Sequence, residues 1–273
     1  MFTGILTKMR PELTDPVTYW LRMGEQDVQL NDFLGKRIEI HFSGKMRCIQ
    51  CNRSITKTFQ QGYCFPCMQR INECDNCMLF PERCRVEQGT CPQHDWAHEH
   101  CYQQHYVYLA NSSGLKVGIT RHNNVPTRWI DQGASMALPI LTVANRRQAG
   151  LVEMLFKKHV NDKTNWREML KNNFPKLDLM CEHDRLLALV ADELQALQSK
   201  YEPGMIAALD KQAIFDIRYP VLMFPDKITS LSLDKTPSVS GVLQGIKGQY
   251  LLLDSGVMNV RKFGGYEVSI NTV

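Results

Sequence analysis

Nine of the ten cysteines in this 273-residue chain stand between Cys48 and Cys101. Their spacing points to metal ligation. Cys48-x2-Cys51 is followed, after twelve intervening residues, by Cys64-x2-Cys67. Each Cys-x2-Cys turn presents two thiolates on one side, and two such turns close a tetrahedron around zinc, with sulfur about 2.3 Å from the metal. This is a zinc-ribbon spacing, and Phe65-Pro66 inside the second pair suits such a turn. Four thiolates leave no coordination position for water, so the site reads as structural. A second set follows. Cys74-x2-Cys77 supplies another half-site, and Cys84 and Cys91 are each separated from the preceding cysteine by six residues. These eight thiols are the expected ligands of one or two Zn²⁺ ions. Cys101, His94, His98, His100 and His105 are alternatives at the second site. An iron–sulfur cluster is the chemical rival, because four thiolates suit both; it would make the chain a redox or sensor protein. A nucleobase deaminase is excluded, since Arg70 stands where the second cysteine after Pro66-Cys67 would belong. Cys181 stands alone and is expected as a small buried hydrophobe.

A second group of chemistry-bearing residues comes later. Tyr106-Val-Tyr-Leu-Ala, the turn Asn111-Ser-Ser-Gly and Leu115-Lys-Val-Gly-Ile-Thr read as two linked strands. Tyr106 and Tyr108 share one face of the first, and Lys116 and Gly118 one face of the second. Arg128 and Trp129 follow. A helix expected over 149–160 carries Glu153. On a wheel of about 100° per residue its Leu151, Val152, Leu155 and Phe156 form one broad apolar face, with Glu153 at the border. Lys157, four residues on, gives the spacing of an ordinary exposed ion pair. Residues 105–165 hold eight Lys or Arg against three Asp or Glu, an excess that suits phosphate.

Val107-Tyr108, Lys116-Val117-Gly118, Arg128 and Ala149 to Glu153, in this order, resemble the GIY-YIG endonuclease superfamily, its phage-type branch in particular. The likeness covers residues 105–165. It implies a three-stranded antiparallel sheet flanked by helices. It also implies Glu153 as ligand of a divalent cation (Mg²⁺ or Mn²⁺), Arg128 as clamp on the scissile phosphate, and Tyr108 as the tyrosine of the first motif. One carboxylate with phosphate oxygens suffices for Mg²⁺, which keeps most of its waters, and arginine offers phosphate a planar fork. Two positions depart from the pattern. Tyr106 replaces the usual glycine, and Lys116 stands where the second tyrosine sits. A lysine neutralises phosphate charge but is a poor general base unless its pKa is lowered. The whole chain also looks like a family of uncharacterised bacterial proteins that carries this module.

These groups need elements to hold them. Ile38, Ile40 and Phe42 alternate with polar residues, as do Val17, Tyr19, Leu21 and Met23, the period of half-buried strands. Residues 47–104 lack apolar periodicity and need metal as a source of folding energy. Leu186, Leu187, Val190, Leu194 and Leu197 mark a helix over 184–199, ended by Pro203-Gly204. Tyr250 to Asp254 and Tyr266 to Ile270 return to strand patterns. The expected fold is α+β. A β segment over 1–46 pairs with another over 214–273. A cysteine-rich segment (47–104) and a GIY-YIG-like module with a helical extension (105–213) are inserted between them.

Apolar residues make up 44% and charged residues 22% of the chain, with a net charge of +4, which excludes a disordered or fibrous protein. No apolar run approaches the roughly 20 residues of a membrane span, and the first residues lack a signal-peptide pattern. A cytoplasmic protein is therefore expected, in a compartment where clustered cysteines bind metal rather than one another. Its expected partner is nucleic acid, DNA or RNA, with no membrane. Either it cleaves phosphodiesters with a divalent cation, or it serves as a zinc-stabilised nucleic-acid or protein adaptor without catalysis.

Overall fold

The computed structural model describes residues 1–272 apart from 92–93, 161–162 and 210–212. The N-terminal stretch forms β1 (Phe2–Ile5), β2 (Arg10–Glu12), β3 (Thr18–Met23), β4 (Gln26–Gln29), β5 (Arg37–Arg47) and β6 (Ser54–Ile55). Alternation decides their faces: Tyr19, Leu21 and Met23 of β3 and Ile38 and Ile40 of β5 are buried. The cysteine-rich segment contains two short helices, α1 (Phe65–Arg70) and α2 (His94–His100), joined by single 3₁₀ turns. The next region holds β7 (His105–Asn111), β8 (Leu115–Arg121), α3 (Thr127–Asp131), β9 (Met136–Val143), α4 (Arg146–Phe156), α5 (Trp166–Lys171), α6 (Leu179–Gln198), β10 (Ile206–Ala208) and β11 (Phe215–Asp216). Four strands close the chain: β12 (Ser238–Lys247), β13 (Tyr250–Leu253), β14 (Gly256–Asn259) and β15 (Tyr266–Thr272).

The expected α+β class is borne out, with three antiparallel sheets. The largest runs β1-β15-β5-β12-β13-β14, with β6 on the end of β5. It is built from both ends of the chain: Ile40 of β5 lies opposite Val239 on one side and Ile270 on the other. A small sheet, β2-β3-β4, packs beside it. The third sheet runs β10-β9-β7-β8, with β11 also on β9. It therefore has five strands where three were expected; the added ones are short and follow α6.

The third sheet separates two cores. From β7, Tyr108 and Ala110 face Trp129, Ile130 and the large sheet. Val107 and Leu109, on the other face, meet Ala149, Val152 and Phe156 of α4 and Leu186 and Val190 of α6. The period of two along one strand thus joins the module to the framework on one side and to its helices on the other. Cys181 corrects an expectation. It lies exposed on the first turn of α6, because Asp178 caps that helix and sets Leu179, His183 and Leu186 on the buried face. Among the described residues, no helix is long and apolar enough to cross a membrane.

Candidate functional site

The first four cysteines converge. β5 delivers Cys48 at its end, where the Cys48 amide donates to the Arg53 carbonyl at 3.0 Å and the Asn52 amide closes the turn on the Cys48 carbonyl at 2.8 Å. Asn52 takes a left-handed φ of 57° to do so, a conformation asparagine tolerates. Cys64 stands at the N-cap of α1, with Pro66 in the first turn, where its missing N–H costs nothing. Cys67 follows on that helix. Ile49 N donates to the Gly62 carbonyl at 3.0 Å and ties the two turns together. The four sulfurs all lie within 4.8 Å of one another. Cys51 and Cys64 Sγ are 3.8 Å apart, close to the edge of about 3.8 Å that a tetrahedron with 2.3 Å arms requires.

The thiols already favour mixed ionisation. Burial opposes the Cys48 thiolate, but the backbone N–H groups of Cys51, Cys64 and Gln50 outweigh it and bring its pKa down to about 6. Cys67, crowded by Cys64, is pushed up to about 12. Four thiolates at these separations need a cation among them, and the set can hold a metal ion such as zinc.

Of the remaining candidates, Cys84 and Cys101 are buried, with Cys77 and Cys91 packed against them. Cys74 is not brought to this group. It closes the 3₁₀ turn Asn72–Cys74, beside Glu73. His94 and His98 meet edge to face on the exposed side of α2, and His100 stacks on Trp96 at 4.1 Å. His105 is fully buried; its Nδ1 donates to the Gln103 carbonyl at 2.6 Å, and its Nε2 has no hydrogen-bond partner. Burial lowers its pKa to about 4 and keeps the ring neutral.

The second group is also assembled. Tyr108 on β7 and Gly118 on β8 are directly opposite. A Cβ at Gly118 would stand 2.7 Å from the Tyr108 hydroxyl, so only glycine leaves room for the ring. That hydroxyl donates to Gln132 Oε1 at 3.2 Å, and Lys116 Nζ donates to the same oxygen at 2.8 Å. Lys116 also reaches Thr164 Oγ1 at 3.5 Å. The Arg128 guanidinium, on α3, is within hydrogen-bonding reach of Tyr108, and the Glu153 charge on α4 bears on the same ring. Glu153 pairs with Lys157 Nζ at 3.0 Å.

Burial corrects one expectation. Tyr108, Lys116 and Glu153 are all buried, and the Glu153–Lys157 pair is largely shielded, with Lys157 30% exposed. Burial raises the Tyr108 pKa, so its phenol stays protonated and acts as a donor. Arg128 and Lys157 are the half-exposed cations at the rim. Gln132, which bridges Tyr108 and Lys116, was not singled out in the sequence. Its only local signal is its place four residues after Arg128, on the same side of that turn.

Neither the curated proteins nor the solved structures compared with this chain gave a match. Residues 35–268 match the family described as "Protein of unknown function (DUF2797)", and the chain belongs to that family.

Proposed function

We propose that this protein is a zinc-stabilised nucleic-acid-binding protein whose module over 105–213 is of GIY-YIG type. In this reading the half-exposed Arg128 and Lys157 take the phosphodiester backbone, the buried Lys116 adds positive charge behind them, and zinc at Cys48, Cys51, Cys64 and Cys67 holds the ribbon beside the framework. One observation carries it. Tyr108, Lys116 and Arg128 come from three separate elements and share one hydrogen-bonded cluster, with Glu153 of a fourth element in electrostatic reach. Its positive groups outnumber its one carboxylate, as phosphate recognition requires.

Binding is favoured over cleavage by the Lys157 ammonium, which sits against Glu153 where a divalent cation would be held. The second reading, cleavage with Mg²⁺ or Mn²⁺ at Glu153, is supported by the same convergence of tyrosine, arginine and carboxylate. Anisotropy titrations with single-stranded, duplex and branched DNA and with RNA test the first reading. Affinity should fall steeply with salt. Arg128→Ala and Lys116→Ala should each weaken binding about 10-fold, roughly 1.4 kcal/mol. No binding at low salt, or equal binding by both variants, overturns it. Incubating the same substrates with Mg²⁺ or Mn²⁺ tests the second reading, for which cleavage must disappear in Glu153→Gln and in Arg128→Ala.

A further inference from the structure

We propose that Cys77, Cys84, Cys91 and Cys101 bind a second Zn²⁺, and that this centre fastens the cysteine-rich segment to the first turn of α4. The proposal does not depend on the nucleic-acid reading.

Packing carries the ligand set. Cys84 and Cys101 are buried side by side in one small cluster, and Cys77 and Cys91 pack against it. Among the described residues only Cys48, Cys51, Cys64 and Cys67 already hold their sulfurs within 4.8 Å of one another, so this second set closes on its ion. The only other buried residues there are Val86 and Ala97, with Trp96 partly buried at the edge. Between 72 and 104 no other described residues are buried except Asn72 and Pro81. A chain stretch of single 3₁₀ turns with so little apolar burial has too small a core to hold itself together. The thiols occupy the position a core would have. Soft thiolates in fours suit zinc, and iron with a visible chromophore in the purified chain would overturn that choice of metal.

Backbone conformation and packing set Cys74 apart from the other four, although Cys74-x2-Cys77 has a half-site spacing. The two residues belong to different 3₁₀ turns, Asn72–Cys74 and Asn76–Met78, with Asp75 extended between them at φ −63° and ψ 149°. Asp75 Oδ1 accepts from Cys77 N at 2.9 Å and starts the second turn independently. Cys74 also packs outside the cluster of the other four, with Glu73 as its charged neighbour.

The surrounding charge supports the same site. Helix N-termini disfavour cations, yet α4 begins Arg146-Arg147. Arg147 pairs with Glu87 at 3.1 Å and donates to the Cys84 carbonyl at 3.2 Å. Arg146 donates to the carbonyls of Cys77 and Met78 at 3.3 and 3.0 Å, and its own amide donates to the Cys101 carbonyl at 2.9 Å. Four thiolates with one Zn²⁺ carry a net charge of −2, and Arg146 lies beside them as counter-charge.

Metal content of the full chain, purified under reducing conditions, tests this. Two zinc ions per chain are expected. Cys84→Ser, Cys91→Ser and Cys101→Ser should each drop the count to one, and Cys74→Ser should keep two. One ion per native chain overturns the proposal, and so do fewer than ten titratable thiols in denaturant, which would mean disulfides. Retention of two ions in Cys91→Ser with loss in His105→Gln overturns the fourth ligand. His105 is the named competitor because its buried Nε2 is within electrostatic reach of Cys84. If the serine variants do not fold, the native chain loaded with Co²⁺ gives the answer. Its sulfur-to-cobalt absorption should be about twice that of a single four-thiolate centre, and intensity matching one centre overturns the assignment.

Discussion

Lys247 shows how one side chain can carry charge through the core. It is 1% exposed and is held by Asn172 Oδ1 at 2.9 Å and by the rings of Phe174, Tyr219 and Phe224, 5.0 to 5.5 Å away. The ring faces replace part of the lost hydration, while burial lowers its pKa to about 8. The unfolded chain binds this proton up to about pH 10.4. Between those values the unfolded state holds more protons than the folded state, so this residue's contribution to stability rises with pH across the window. Below pH 8 the full cost of burying the ammonium remains. The stability difference between the native protein and Lys247→Met should therefore grow in the native protein's favour by about 3 kcal/mol from pH 8 to 10.5. Urea unfolding at three pH values measures it, and a difference that stays flat contradicts the lowered pKa. Lys247 is invisible in the sequence, where it reads as a turn residue before Gly248. Glu153 was only half legible for a related reason. Its helix alone sets it at the border of the apolar face, but it is buried in the fold, where the turn Pro81–Arg83, from elsewhere in the chain, packs on the same helix at Gly150.

That contact is an element-scale feature, and Gly150 makes it. A Cβ there would lie 2.3 Å from Glu82 N and 2.5 Å from the Pro81 carbonyl carbon. Both are backbone atoms, so neither moves without moving the turn. Gly150→Ala improves the intrinsic helix propensity of α4 by about 1 kcal/mol, and on an isolated helix it would be stabilising. Here overpacking wins. We expect a net loss of about 1–3 kcal/mol and a lower Tm by calorimetry; an unchanged or raised Tm would show that the turn yields. Legibility differed by element. Alternation revealed β3 and β5, and the apolar spacing revealed α6, because each pattern is local. β9 escaped. Its Pro139 argues against a central strand, but the ladder shifts register between Val107 and Tyr108, and Pro139 comes opposite Tyr108 at that irregularity. The bulge accommodates a proline that a regular ladder would reject.

At the scale of the whole molecule, one buried amide ties the parts together. Gln249, in the turn after β12, accepts from Met9 N at 2.8 Å and donates to the Met9 carbonyl at 3.0 Å and to Asp131 Oδ1 at 2.8 Å. Lys8 Nζ takes the other Asp131 oxygen at 3.2 Å. Residues from the N-terminal stretch, the module and the C-terminal strands thus meet at one carboxylate. Asp131→Ala leaves a buried Gln249 donor without its acceptor, which should cost about 1–3 kcal/mol. Chemical denaturation reads this cost directly. Asp131→Asn, which keeps an acceptor, should recover part of it, and equal losses in both variants would mean that charge rather than the hydrogen bond matters. The strand patterns at both ends of the chain were legible. This junction was not, because hydrogen bonds across 118 and 240 positions leave no periodic trace.

The order of the large sheet has a consequence for biosynthesis. β5 is flanked by β12 and β15, and β1 by β15. β1 and most of β5 therefore find their partners only when the C-terminal strands emerge, whereas β2, β3 and β4 pair with one another. Until then β5, paired only at Met46 and Arg47 with β6, offers both edges along most of its length, and a free edge is a template for pairing with other chains. The cysteine-rich segment and the module, whose contacts lie closer together along the chain, are positioned to form first. A chain stalled before residue 238 would present β5 as an open strand beside an otherwise ordered molecule.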